Sequence, residues 1–180
     1  GIEGQPRESL YRFIGPPLHE SYEKFYSFSR EQAMQAVSYY REYYEEKGMF
    51  ENEVYPGIKQ LLRDLTKQGV LCLVATSKPE IYAKKILDYY ELSNYFYYIA
   101  GANMDGTRTD KAEVIAYALK QIPAEYSNKK VLMVGDRSHD IIGAKKNGID
   151  CAGVLFGYGS SEELEEAGAD FIADSVEAVR

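Results

Sequence analysis

The sequence predicts an α/β fold built on a parallel sheet, with an all-helical segment ahead of it. From about Val54 onward, short apolar runs alternate with amphipathic stretches of helical length, a pattern typical of βαβ units. From Glu8 to Gly48 the chain shows only helical periodicity and turns. Because parallel strands are joined by helical crossovers, the later part is expected to form a sheet covered by helices on both faces.

The first part contains one long predicted helix with a turn-rich stretch before it. The helix begins at Ser29 or Arg30, and Gly48 ends it, because glycine favours the position after a helix C-terminus. The Gly-Pro-Pro string at 15–17 cannot continue a helix, since proline lacks the backbone N–H. This part is therefore expected to be helices and loops alone.

The later part has a start or stop signal at each helix and an apolar run at each strand. Proline suits the first turn of a helix, Asp and Ser suit the N-cap, and glycine often follows the last turn. The predicted helices cover 56–68, 79–90, 111–122 and 138–147, and a last one begins at Ser160. The predicted strands cover 70–76, 95–100, 130–134, 150–155 and 171–173.

Composition and charge exclude several classes of partner. The chain of 180 residues has a formal net charge of −7, which argues against a nucleic-acid binder, because such proteins carry a basic stripe. No apolar run reaches the ~18 residues of a membrane span. Cys72 and Cys151 lie in apolar runs and are predicted to be small core residues of a cytoplasmic protein. A small phosphorylated partner still fits, because local donors and a metal ion can neutralise one phosphate.

Polar residues follow two predicted strands, where parallel sheets bind their ligands. Thr76 and Ser77 end the first strand, and their hydroxyls and backbone N–H groups are suited to hold a phosphate. Lys111 opens a helix, where the helix dipole disfavours a cation, so it is predicted to serve a nearby anion. Taken singly, the hydroxyls also fit a helix N-cap, and the lysine also fits a solvated surface position.

A third strand end carries two carboxylates. An apolar strand runs into Gly135 and Asp136, and Asp140 follows one turn into the next helix. Two carboxylates at such a point suit a hard cation, and Mg²⁺ is the usual choice with phosphate substrates. The other interpretation is an N-cap aspartate beside a solvated one.

The order of these residues resembles the second, third and fourth motifs of the haloacid dehalogenase superfamily, and in particular its phosphoglycolate-phosphatase-like branch. The matching strings are VATSKP, TDK and GDRSHDIIGA, and the segments GVLFGYGSSEEL and RFIGPPL are also similar. The resemblance covers essentially the whole chain. It implies that residues 53–180 form a Rossmann-like core without its first strand and that residues 1–52 form part of a helical cap.

The resemblance also implies a mechanism. In that superfamily an aspartate attacks phosphorus and forms an aspartyl-phosphate, which water then hydrolyses. Thr76 and Ser77 would bind the phosphoryl oxygens, and Lys111 would pair with both nucleophile and phosphate. Asp136 would ligate Mg²⁺, and Asp140 would bind the metal directly or through water, or orient its neighbours.

The first motif of the superfamily, D-x-D-G-T on an apolar strand, does not occur in the chain. The nearest string, MDGT at 104–107, lacks the first aspartate and is predicted to be a turn. The family pattern places the missing strand and its loop ahead of Gly1. We therefore expect the 180 residues alone to show no phosphatase turnover, and the full-length parent to hydrolyse phosphomonoesters with Mg²⁺.

Two other functions stay open on the sequence alone. A metal-independent haloacid dehalogenase uses the same ester chemistry, and a non-catalytic binding module would keep the fold without the nucleophile. A nucleotide-cofactor enzyme is disfavoured, because no G-x-G-x-x-G follows a strand. Phosphoglycolate, a nucleoside monophosphate and a sugar phosphate all remain possible substrates. By resemblance, Arg12 and residues 15–18 of the cap are expected to contact the leaving group.

Overall fold

The computed structural model describes residues 6–180, and the chain divides into two compact units, Gly1–Asn52 and Glu53–Arg180. The described residues of the first unit form helices, turns and loops and no strand, as predicted. Its helices are α1 (Arg7–Leu10), α2 (Leu18–Tyr26) and α3 (Arg30–Glu46), with short 3-10 turns at Tyr11–Phe13 and Gly48–Phe50.

The long helix α3 begins where its sequence predicts. The Ser29 hydroxyl accepts the N–H of Gln32, and the Gln32 side chain accepts the N–H of Ser29 at 2.9 Å, which is a complete capping box. At the other end Gly48 follows the helix but opens a 3-10 turn. Its φ is not among the positive values found for other glycines, so it does not act as a left-handed helix stop.

The second unit alternates strands and helices, and its strand pairs are parallel, which confirms the α/β class. Its helices are α4 (Ile58–Lys67), α5 (Glu80–Tyr89), α6 (Lys111–Leu119), α7 (Ser138–Lys146) and α8 (Ser161–Glu166). Its strands are β1 (Leu73–Pro79), β2 (Tyr98–Ala102), β3 (Leu132–Gly135), β4 (Asp150–Val154) and β5 (Phe171–Ala173).

The strands form two sheets rather than one continuous sheet. One sheet has the order β1-β2, and the other has the order β3-β4-β5. Among residues 6–180, β1 therefore pairs on one edge only, and so does β3. Each of these two strands keeps a row of backbone N–H and C=O groups outside any sheet ladder.

The expectation of strands covered on both faces is wrong for β3. Its Met133 packs against the core cluster of Ile141, Ala144, Cys151 and Leu164. Its neighbours Leu132 and Val134 point to the other face and are 48% and 39% exposed. Successive side chains point to opposite faces of a strand, and on the face away from α7 and α8 the edge strand β3 is left uncovered.

The bounds of β1 and β2 also differ from the sequence prediction. Residues 93–95 form a 3-10 turn, so β2 begins at Tyr98, and β1 begins opposite it at Leu73. The strand β1 then continues to Pro79, with an irregular register between Ala75 and Pro79. Thr76 and Ser77 therefore lie inside this irregular part of β1, whereas the sequence predicted that they end the strand.

Helix ends in the second unit follow the local signals closely. Asp110 caps α6 by accepting the N–H groups of Ala112 and Glu113 at 2.7 and 3.3 Å. Gly148 and Gly168 follow α7 and α8 with left-handed φ angles of 67° and 89°. The helix α4 starts at Ile58, later than the predicted Pro56. Within residues 6–180, every helix is too short or too polar to cross a membrane.

Candidate active site

Lys111 connects the two sheets of the second unit. It is the first residue of α6, and its ammonium donates to the carbonyl of Ala75 in β1 at 3.1 Å. The same ammonium lies 2.8 Å from Oδ1 of Asp140 in α7, the helix that follows β3. One cation thus brings the irregular part of β1 and the first turn of α7 to the same place.

The Lys111–Asp140 pair is largely shielded from water, with side chains 15% and 9% exposed. The second carboxylate oxygen of Asp140 accepts the backbone N–H of Arg137 at 3.2 Å. Gly135 makes room for this side chain, because a Cβ at that position would overlap the Asp140 carboxyl group. Both oxygens of Asp140 are therefore engaged within the protein, which suits a residue that orients its neighbours.

Asp136 is enclosed by the loop that follows β4. Its Oδ2 accepts the backbone N–H of Tyr158 at 2.8 Å. A Cβ at Gly157 would overlap the Asp136 side chain, and a Cβ at Gly159 would overlap its carbonyl oxygen. The Gly-Tyr-Gly string is thus needed for this close approach, and motif spacing alone did not assign that role to it.

Glu163 of α8 holds the segment just after Asp136. Its Oε1 accepts the Nε–H of Arg137 at 2.9 Å and the backbone N–H of Ser138 at 2.8 Å. Burial raises the pKa of Glu163, but the Ser138 N–H and the Arg137 guanidinium outweigh it, so the pKa lies below its usual value. The carboxylate form of Glu163 is therefore favoured at the start of α7.

The Thr76 hydroxyl forms a local turn beside the lysine. Its Oγ1 accepts the backbone N–H of Lys78 at 3.1 Å, and Thr76 directly follows Ala75, whose carbonyl binds Lys111. Ser77 is half-buried in the same stretch. Hydroxyl and backbone N–H groups of this kind can bind an anion next to the ammonium.

Arg12 lies in the first unit. It is part of the Tyr11–Phe13 turn, and its guanidinium carbon lies 4.2 Å from the centre of the Phe25 ring. This cation–π contact orients an otherwise exposed side chain. A role of Arg12 in binding a leaving group is still only a prediction.

The MDGT string forms a turn after β2. Asp105 accepts both the N–H and the hydroxyl of Thr107, at 2.9 and 2.7 Å, and Gly106 has a left-handed φ of 86°. The hydroxyl and N–H of Thr107 lower the pKa of the Asp105 carboxyl group. The carboxylate of Asp105 thus stabilises its own turn.

The oxygen ligands at this site suit a Mg²⁺ ion that a single protein carboxylate would hold. Among residues 6–180, no three His, Cys, Asp or Glu side chains converge on one metal position. Oδ2 of Asp136 accepts the Tyr158 N–H, and Oδ1 accepts no hydrogen bond within the described part of the chain. Mg²⁺ usually keeps several waters and binds through one or two carboxylates with substrate phosphate. Asp136 fits that pattern.

Comparison with known proteins matches the chain to one family of hydrolases and to several named relatives. The sequence profile of "Haloacid dehalogenase-like hydrolase" matches residues 1–154. The chain is 41% identical over 166 residues to a 5′-nucleotidase of Pseudomonas aeruginosa, covering 91% of this chain and 73% of that protein. It is 40% identical over 153 residues to a protein of Mycobacterium tuberculosis named tyrosine-protein kinase PtkA, covering 85% of this chain and 51% of that protein.

A more distant relative and a solved structure extend the comparison. The chain is 31% identical over 125 residues to a phosphoglycolate phosphatase of Pseudomonas fluorescens, covering 68% of this chain and 44% of that protein. A crystal structure of a predicted phosphatase from Clostridium acetobutylicum superposes with a TM-score of 0.91 at 44% identity, covering 99% of this chain and 82% of that one.

Proposed function

Because the chain belongs to the haloacid dehalogenase-like hydrolase family, we propose that it forms the phosphate-binding part of a Mg²⁺-dependent phosphomonoesterase that acts through an aspartyl-phosphate. In this proposal residues 53–180 are the catalytic core and residues 1–52 are part of a helical cap. The observation that carries it is the position of Lys111, held between the Ala75 carbonyl and Asp140 and next to the Thr76 turn.

Each core residue has a separate role in binding phosphate in this proposal. The ammonium of Lys111 reduces repulsion between a phosphoryl group and an attacking carboxylate, which both carry negative charge. Thr76 and Ser77 donate hydrogen bonds to phosphoryl oxygens. Asp136 holds Mg²⁺, which when bound supplies charge neutralisation to the phosphate. Asp140 fixes the Lys111 ammonium in place.

The unpaired edges of β1 and β3 support the proposal that the nucleophilic aspartate lies on a further strand. Among the described residues, neither edge has a ladder partner, and the exposed Leu132 and Val134 lie on β3. From the start of α6, the Lys111 ammonium bonds the edge strand β1 and the helix α7, which follows the other edge strand β3. A parallel strand between β1 and β3 would end beside that ammonium. We propose that without such a strand residues 1–180 do not turn over phosphomonoesters.

The substrate class is a small phosphorylated metabolite. Relatives named 5′-nucleotidase and phosphoglycolate phosphatase make a nucleoside monophosphate and phosphoglycolate the first two compounds to test. In this proposal the cap, including Arg12, contacts the leaving group. We propose a cytoplasmic protein without nucleic-acid or membrane partners, consistent with a net charge of −7.

A protein tyrosine is the second candidate phosphoryl acceptor. The relative named tyrosine-protein kinase PtkA is 40% identical over 85% of this chain. Transfer of the terminal phosphoryl group of a nucleoside triphosphate to a phenol, with the nucleoside diphosphate as leaving group, would use the same anion site as transfer from a phosphomonoester to water. The two functions differ in product, which is inorganic phosphate in one case and phosphotyrosine in the other.

The test uses the natural full-length protein that contains this chain. We expect release of phosphate from adenosine monophosphate, phosphoglycolate or p-nitrophenyl phosphate that requires Mg²⁺ and stops with EDTA. Asp136→Asn should lower this rate by about a hundredfold or more. The matched control is Asp150→Asn, since Asp150 lies at the opposite end of the neighbouring strand β4, and this variant should keep the rate.

Three outcomes would contradict the proposal in different ways. A rate on haloacids that survives EDTA would identify a metal-independent dehalogenase. A full-length protein that folds but turns over none of these compounds would favour a binding module. A robust Mg²⁺-dependent rate from purified residues 1–180, lost in Asp136→Asn, would overturn the need for a further strand.

A further inference from the structure

The loop between β2 and α6 contains an arginine, Arg108, that contacts three separate elements. Its Nε–H donates to the carbonyl of Gly101 in β2 at 2.8 Å. Its Nη2 lies 3.3 Å from Oε2 of Glu80, the first residue of α5. Its guanidinium carbon lies 3.8 Å from the centre of the Tyr117 ring in α6. The side chain is only 20% exposed, so these contacts are shielded from water.

At Gly101 the end of β2 packs closely against Glu80 and the segment that follows Thr76. The Gly101 N–H donates to the same Glu80 oxygen that binds Arg108, at 3.4 Å. A Cβ at Gly101 would lie 2.5 Å from the Glu80 Cα and 2.7 Å from the Lys78 carbonyl. The Arg108 side chain is thus connected, through its partly buried contacts with Glu80 and Gly101, to the backbone just after Thr76 and Ser77.

The backbone of Arg108 is in an unusual conformation. Its φ is +52°, in the left-handed region that side chains other than glycine disfavour. A strained residue of this kind persists only where its surroundings hold it. Three positions later comes Lys111, after the N-cap Asp110. The side-chain contacts of Arg108 therefore also determine where the chain enters α6.

We propose that Arg108 is a positioning residue that holds the Thr76–Lys78 turn and the start of α6 at a fixed separation. Its Glu80 and Gly101 contacts fix the turn, and its own backbone fixes the approach to Lys111. The consequence is a hydroxyl and an ammonium set to bind one phosphoryl group. Phosphoryl transfer by such a site depends on placement within a fraction of an ångström. This role rests on the proposed function, because it concerns the same site.

Lys84 provides a matched control on the same carboxylate. Its ammonium lies 2.6 Å from the other oxygen of Glu80, one turn along α5, and its side chain is 50% exposed. Removing Lys84 takes one cation from Glu80, as removing Arg108 does. It leaves the Gly101 carbonyl, the Tyr117 ring and the loop to α6 untouched. A difference between the two variants therefore reports positioning rather than loss of charge.

The experiment compares Arg108→Ala, Arg108→Lys and Lys84→Ala in the full-length protein. Amide hydrogen exchange is followed at Lys78, whose N–H donates to Thr76, and at Ala112 and Glu113, whose N–H groups donate to Asp110. We expect Arg108→Ala to speed exchange about tenfold or more at both places. We also expect kcat to fall by about ten- to a hundredfold with little change in KM. Lys84→Ala should change none of these.

Specific exchange results would contradict the positioning role of Arg108. If exchange at Lys78 is unchanged in Arg108→Ala, or rises equally in Lys84→Ala, Arg108 does not position the turn. If Arg108→Ala fails to fold, Arg108→Lys decides the question, because it keeps the charge but lacks the planar guanidinium, whose separate nitrogens donate to Gly101 and Glu80. It should then speed exchange at the same two places by a smaller factor. If the wild type shows no turnover, the proposed function fails, while the exchange data still decide the role of Arg108.

Discussion

Lys111 and Asp140 form a shielded ion pair with 2.8 Å between Nζ and Oδ1. The two residues belong to α6 and α7, which pack on different sheets of the second unit. Each member of the pair has a second hydrogen-bond partner: the ammonium donates to the Ala75 carbonyl, and the carboxylate accepts the Arg137 N–H. Because no desolvated charge is left unpaired, this cluster can be both stable and poised for an anionic ligand.

Breaking this pair from one side should destabilise the protein strongly. Asp140→Asn leaves a shielded ammonium without its counter-charge, so we expect the free energy of unfolding to fall by about 3 kcal/mol. Lys84→Ala, which removes an exposed partner of Glu80, should cost less than about 1 kcal/mol. Urea unfolding of both variants measures the difference. Equal losses for the two variants would show that the Lys111–Asp140 pair contributes no more than a surface pair.

Gly157→Ala should disturb Asp136 directly. The added methyl would overlap the Asp136 side chain, so the loop or the carboxylate must move. We expect weaker Mg²⁺ binding by calorimetry and a loss of stability of about 1–3 kcal/mol. At Gly69 a Cβ would meet nothing within 4 Å, and only the left-handed φ of 73° opposes it. Gly69→Ala should therefore lose stability but keep the affinity for Mg²⁺.

Asp170 should make stability fall in acid. A hydrogen bond from Lys145, helped by the N–H and thiol of Cys151, lowers the pKa of Asp170 to about 2. The unfolded chain has the ordinary pKa of about 3.9, so this contribution is complete above pH ~5 and is lost progressively as the pH falls through about 2. The melting temperatures of wild type and Asp170→Asn should differ most at pH 6, should keep roughly half of that difference at pH 3 and should converge only below pH ~2. In a Lys145→Met background the difference in melting temperature should depend less on pH. A difference that does not depend on pH in the wild-type background would contradict the role of the Lys145–Asp170 hydrogen bond.

The two cysteines should differ in reactivity. Cys151 is buried and Cys72 is half-buried, and burial raises the pKa of both thiols. The thiolate is the reactive form, so we expect a thiol reagent at pH 8 to label Cys72 slowly and Cys151 only after unfolding in urea. Intact and peptide mass spectrometry separates the two sites. Labelling of Cys151 in the folded protein would show that the β4 core opens.

Local sequence signals predicted the helices better than the strands. Ser29, Asp110 and Ser160 start helices as predicted, because a cap is formed by residues only two or three positions apart. Strand β5 at Phe171–Ala173 has its predicted bounds, whereas β2 begins three residues later than predicted. An apolar run identifies a strand but not the register of its hydrogen bonds, which a distant partner sets.

The sequence by itself determined the α/β class, the helical first part and the order of Thr76, Lys111, Asp136 and Asp140 along the chain. These follow from periodicity, caps and turns, which are local. Only the tertiary structure decided that Lys111 contacts Asp140, that Gly157 lies against Asp136 and that Arg108 connects Glu80 with Gly101. Such pairs join residues far apart in the chain. Their choice depends on how helices and strands pack together, and no local pattern contains that information.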